Sequence, residues 1–120
     1  MWRIKRSLIE DACAAAKGYY PDEFMCFLGG DGKKKAVEEI VLLPNTSGEN
    51  FATINDSVIP VDDSIVGSLH SHPDSSGNAS REDLRFFRRY RINVILGYPF
   101  VPENARFYSQ RGERIAVDLE

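Results

Sequence analysis

Both histidines of this chain stand two residues apart, in His70-Ser71-His72-Pro73. Side chains at i and i+2 of an extended segment leave the same face, so both imidazoles can reach one ion. Pro73 removes a backbone donor and ends the strand, and Asp74-Ser75-Ser76-Gly77-Asn78-Ala79 reads as a loop. The Ser80 hydroxyl suits a helix N-cap, and Asp83 falls one turn further on, facing back toward the loop. Two neutral nitrogens, a carboxylate oxygen and a free fourth position describe an open zinc site. The same donors also describe a non-haem iron site.

The spacing His-x-His-Pro-x6-Ser-x2-Asp resembles the signature of the JAMM (MPN+) metalloprotease family at every fixed position. A chance match in a chain of this length is on the order of 1 in 100,000, which makes the pattern specific enough to argue from. The family also has a glutamate upstream, at the start of a strand, and Glu23 in Pro21-Asp22-Glu23-Phe24-Met25-Cys26-Phe27-Leu28 stands where that glutamate belongs. The resemblance implies that His70, His72 and Asp83 hold a single Zn2+ with water as fourth ligand. It implies further that Glu23 is the general acid/base and that Ser80 steadies the oxyanion. The implied substrate is a ubiquitin-like small modifier, or a sulfur-carrier protein whose C-terminal tail is trimmed.

The residues support that chemistry on their own terms. A zinc-bound water ionises near neutral pH, and a carboxylate in reach must take its proton and pass it to the departing amine. Glu23 is the candidate. Negative charge developing on the carbonyl oxygen needs a donor, and a hydroxyl at the mouth of a helix supplies one. Ser80 followed by Asp83 also fits a capping box, yet a cap leaves the paired histidines unexplained, and one serine oxygen can serve both purposes. Glu23 and Ser80 have roles in hydrolysis and none in iron oxygenase chemistry, so zinc is preferred. A zinc deaminase is disfavoured because its His-x-Glu and Pro-Cys-x-x-Cys pattern is missing.

Elements must bring these groups together. Ile4, Leu8, Ala12, Ala15, Ala16 and Tyr19 recur at helical spacing, which predicts a first helix over residues 4–17 with Gly18 as its stop. Residues 24–28 form a continuous apolar run that suits a strand covered on both faces. Gly29-Gly30-Asp31-Gly32 with Lys33-Lys34-Lys35 reads as a hairpin loop before a strand over 36–43. Residues 44–48 read as a loop, 51–54 as a short strand and 56–60 as an irregular link. Residues 65–69 form the strand that delivers the histidines, with Gly67 admitting a close backbone neighbour. A helix over 80–90 turns Leu84, Phe87 and Tyr90 inward and leaves Arg81, Arg85, Arg88 and Arg89 elsewhere. Strands follow at 92–98, 106–109 and 114–119. This order predicts an α/β fold, a mixed sheet with helices packed against it. The family resemblance sharpens that to a cytidine-deaminase-like three-layer sandwich.

A chain of 120 residues is expected to form a single domain over 1–120. A net charge of -3, with 42% hydrophobic and 28% charged residues, is ordinary for a globular protein and gives no global reason to expect nucleic acid or a membrane as partner. No span approaches transmembrane length, and Glu10 and Asp11 interrupt the N-terminal stretch before any signal-peptide core. Cys13 and Cys26 lack CxxC spacing and read as buried free thiols of a reducing, cytoplasmic compartment. Oligomeric state is not legible. The competing class is a binding module that keeps the fold and recognises a ubiquitin-like protein without catalysis; relatives of that kind normally lack a ligand, and this chain lacks none. A nucleic-acid role for the arginines has no aromatic platform to support it.

Overall fold

The computed structural model describes residues 1–42, 63–74 and 78–120. The readings placed on 44–48, 51–54 and 56–60 lie outside the described residues, as does the middle of the loop after Pro73.

Trp2–Ile4 forms β1 and Arg6–Tyr19 forms α1. The expected helix start at Ile4 is therefore corrected. Trp2, Arg3 and Ile4 alternate buried, exposed, buried, a period of two that three residues barely reveal, and β1 is held by parallel pairing to two other strands. Helix α1 buries Leu8, Ile9, Ala12, Cys13 and Ala16. It passes through Gly18 and stops where Tyr20, which precedes Pro21, turns extended with ψ 135°, as residues before proline prefer.

Met25–Asp31 is β2 and Ala36–Val41 is β3. Gly29 and Gly30, expected in the loop, are strand residues. A bulge separates them, and a Cβ on Gly30 would collide with the Ala36 carbonyl. The turn proper is shorter, with the Asp31 carboxylate accepting from the backbone N–H of Lys33 at 2.9 Å and of Lys34 at 3.2 Å. Ile65–His72 is β4, Arg81–Phe87 is α2, Ile92–Gly97 is β5, Ala105–Ser109 is β6 and Val117–Leu119 is β7. As the sequence suggested, Gly67 has no room for a side chain, because Ile92 of the neighbouring strand crosses there.

The strands make one mixed sheet in the order β6-β5-β4-β2-β3-β1-β7. At its centre β4 runs antiparallel to β2 and parallel to β5. Helix α1 covers one face, where its apolar side packs with Phe24, Cys26, Leu28, Leu69, Val94 and Leu96. The opposite face carries Met25, Phe27 and Ile95 with Phe87 and Tyr90 at and beyond the end of α2. A layer of helix therefore lies on each side of the sheet, as expected.

Helix α2 is shorter than the 80–90 expected, and its inward stripe is Asp83, Phe87 and Tyr90. Leu84 is 39% exposed. The reason for the early stop lies in β5. Asn93 is fully buried and its amide donates to the carbonyls of Phe87 at 3.3 Å and Tyr90 at 3.1 Å, so a side chain of the sheet takes up the carbonyls at the helix end. Its amide oxygen accepts in turn from the Ser68 hydroxyl. This network locks the far end of α2 to β4 and β5.

Candidate metal centre

On β4 the side chains alternate between layers. His70 and His72 point to the face of α2, and Ser71 between them points to the other. His70 lies deep in the sheet, beside Met25 of β2 and Ile95 of β5 in register, and is 2% exposed. His72 is at the strand end opposite Gly97 and is half-buried. Their Nε2 atoms are 2.9 Å apart.

Asp83 reaches both from α2. Its Oδ1 lies 3.2 Å from His70 Nε2 and its Oδ2 lies 3.3 Å from His72 Nε2. Ser80 is the N-cap of α2 and makes a full capping box: its hydroxyl accepts from the Asp83 N–H at 3.1 Å, and the Asp83 carboxylate accepts from the Ser80 N–H at 2.8 Å. The capping reading therefore holds, and the same carboxylate lies within reach of both histidines. Capping aims Asp83 back over its own helix start, which is where the histidines are.

These three residues are the group among the described ones whose nitrogen and oxygen atoms could close on a metal, all lying within 4.8 Å of one another. Two ligands about 2.1 Å from a tetrahedral ion are about 3.4 Å apart. The two imidazole nitrogens are 2.9 Å apart, and the carboxylate spans them with one oxygen 3.2 Å from His70 and the other 3.3 Å from His72, contacts of about that size. The donor set, two imidazole nitrogens and a carboxylate, and its spacing are compatible with a single metal ion of the zinc type.

Beside this group is a cleft of about 350 Å3 lined by Glu23, His72, Pro73, Asp74, Ser80, Glu82 and Asp83. The cleft joins Glu23 to Ser80, His72 and Asp83, four of the five residues singled out in sequence; the fifth, His70, is buried outside its lining, in contact with His72 and Asp83. Sequence reasoning did not place Glu82 there. Burial raises the Glu23 carboxyl above its usual range, opposed by His72 and assisted by Asp83. Burial also acts to raise Asp83, but hydrogen bonds from His70 and His72 overcome it and hold that carboxyl well below the usual range. Burial lowers His70, while the hydrogen bond to Asp83 raises His72. An anion is thus fixed under two imidazoles, and a second carboxylate nearby keeps its affinity for a proton.

Ser71 is a residue that sequence reasoning passed over. It is 1% exposed, and its backbone N–H donates to the Phe24 carbonyl at 2.9 Å while its hydroxyl accepts from the Phe24 N–H at 2.8 Å. A regular antiparallel pair would exchange two backbone bonds. Here the serine side chain takes the place of its own carbonyl, just where the chain leaves β2 toward Glu23. The only sequence signal was a small hydroxyl residue between the two histidines. In Ser71→Ala the buried Phe24 N–H loses its acceptor, a loss worth about 1–3 kcal/mol. Thermal unfolding should shift down accordingly, and the Phe24 amide should exchange with solvent faster than its strand neighbours.

Cys13 and Cys26 are both buried and free, as expected. Burial pushes their thiols up to about 11 and about 12, so neither is a nucleophile at neutral pH. No helix among the described residues is long and apolar enough to cross a membrane.

Comparisons with known proteins agree with this geometry. The family model described as prokaryotic homologs of the JAB domain matches residues 5–110. A probable metalloprotease of Haloferax volcanii is 29% identical over 125 residues, spanning 97% of this chain and 78% of that protein. A JAB1/MPN domain protein from Archaeoglobus fulgidus superposes with a TM-score of 0.76 at 29% identity, covering 98% of this chain and 97% of the other. A structure described as JAMM, a metalloprotease-like zinc site in the proteasome and signalosome, superposes with a TM-score of 0.77 at 28% identity, covering 100% and 98%.

Proposed function

The chain belongs to the family of prokaryotic homologs of the JAB domain, and from that membership we propose that it is a zinc-dependent peptidase cleaving the peptide or isopeptide bond after the terminal glycines of a ubiquitin-like small modifier. The observation that carries the reading is the His70, His72 and Asp83 cluster, two of whose members line the same cleft as Glu23. The substrate class comes from resemblance to the JAMM family.

His70, His72 and Asp83 would hold the ion, which supplies an acidified water and a Lewis acid for the carbonyl. Glu23 stands in the same cleft and, with its proton affinity raised, takes the proton of the attacking water and returns it to the departing amine. The Ser80 hydroxyl, at the cleft wall, donates to the oxygen that gains negative charge. Its accepting bond from the Asp83 N–H leaves the hydroxyl proton available for that contact.

The test is incubation of zinc-loaded protein with conjugates of ubiquitin-like modifiers and with tail-extended sulfur-carrier precursors. Mass spectrometry should find a product ending in Gly-Gly, its formation stopped by a chelator and restored by zinc. A freed lysine partner identifies an isopeptidase, and a released C-terminal tail identifies a processing protease. Tight binding of a modifier with no cleavage in any condition would instead make the protein a recognition module.

A further inference from the structure

Helix α2 begins in the cleft with Ser80 and Asp83 and carries a second face. Arg81, Arg85 and Arg88 follow one another at i, i+4 and i+7, all exposed, on the side opposite the buried Asp83, Phe87 and Tyr90. Arg89 adjoins them. The stretch from 81 to 91 holds five arginines against Glu82 and Asp83, within a chain whose net charge is -3. Asp83 is committed to the histidines. Among the described residues, Arg81, Arg85 and Arg88 make no ion pair.

Arg85 and Arg88 stand at the C-terminal end of the helix, where a cation is favoured, but the start of the stripe works against the helix. Like charges four residues apart destabilise a helix, and Arg81/Arg85 is such a pair. Arg81 occupies the first helical position, where the macrodipole disfavours a cation. A face placed only for solvation would carry charges of mixed sign. Leu84 lies beside the stripe, partly exposed, with the turn at Gly112 packed on it, so the face has apolar contact area as well as charge.

We propose that the arginine stripe of α2 is a docking surface for an acidic protein segment flanking the bond to be cleaved. The inference rests on the peptidase reading and extends it to specificity. Arg81 stands between Ser80 and Glu82, both in the cleft lining, so an acidic segment bound on the stripe ends beside the cleft. The interaction is steered by charge and weakens with salt.

The probes are two synthetic peptides in which Gly-Gly is joined to a lysine ε-amine, one flanked by glutamates and the other by serines. Zinc-loaded Glu23→Gln protein should bind the acidic peptide roughly tenfold more tightly by fluorescence anisotropy, as a few exposed charge pairs allow. The preference should shrink as salt rises. Arg85→Glu/Arg88→Glu should abolish it while leaving affinity for the serine peptide, and its turnover by protein retaining Glu23, unchanged. Equal affinity for the two peptides overturns the proposal, as does a preference that survives charge reversal. Tighter, steeply salt-dependent binding of a DNA duplex to the same face overturns it as well. The two readings separate cleanly: binding of the acidic peptide without cleavage of either removes the peptidase, and equal cleavage and binding of both removes the docking surface.

Discussion

Glu23→Gln is expected to lower kcat by about 100- to 10,000-fold, the usual worth of general acid-base catalysis, with zinc content unchanged. The substitution keeps the size of the side chain and its place in the cleft beside His72 and Asp83, and removes only the ability to carry a proton. Glu23 is not among the three residues that could close on an ion, so elemental analysis should find the same metal stoichiometry. The pH profile gives an independent check. Burial raises the Glu23 carboxyl, so the acidic limb of the wild-type profile should lie above the ordinary glutamate range, activity falling as pH drops through it. The variant should lack that limb. The sign for stability is opposite: the folded state binds this proton more tightly than the unfolded chain, so stability declines as pH rises through the raised pKa. Glu23→Gln should therefore unfold at the same temperature or slightly higher at neutral pH. Near wild-type turnover in the variant would remove Glu23 from the mechanism.

Asp83→Ala should be more damaging, because it removes two functions held by one carboxylate. Substituting the partners of metal ligands typically costs 10- to 100-fold in metal affinity, so losing a ligand should weaken zinc binding by more than about 100-fold. The capping bond to the Ser80 N–H disappears as well, at about 1 kcal/mol. Ser80→Ala separates the two effects: it loses the other half of the capping box but keeps all three candidate ligands, so it should unfold earlier yet still bind zinc. Titration with a competing chelator checks the affinities, and equal zinc binding by Asp83→Ala and wild type would exclude Asp83 as ligand. Asp83 also ties metal-free stability to acid. Its carboxyl is held well below the usual range, so the stabilisation it contributes is present above about pH 4 and is lost progressively as pH falls below that.

The reading from sequence succeeded where local geometry and chemistry coincide. Two histidines at period two, a proline stop and a capping serine determine one another within fourteen residues, and the structure brings His70, His72 and Asp83 within 2.9 to 3.3 Å of one another. It failed where tertiary pairing decides. Trp2–Ile4 became a strand because two neighbours pair with it. Gly29 and Gly30 stayed in β2 because a bulge absorbs them. Of the inward stripe read from hydrophobicity, Phe87 and Tyr90 are buried, but Leu84 is not, and the polar Asp83, 5% exposed, is buried in its stead because its partners are across the layer. Ser71 and Asn93 were missed for a related reason. Each is a single polar residue in a buried strand, and its worth comes from one bond to an element distant in sequence.

The alternation of β4 has an evolutionary corollary. His70 and His72 face the cleft, while Leu69 joins the opposite core and Ser71 grips Phe24. A one-residue insertion or deletion inside this strand turns every side chain beyond it to the other layer, exchanging imidazoles for core residues and releasing the glutamate arm in the same event. Length variation in this lineage should therefore accumulate in the segments before Ile65 and after Pro73, leaving the strand between them as a fixed ruler against which those segments diversify.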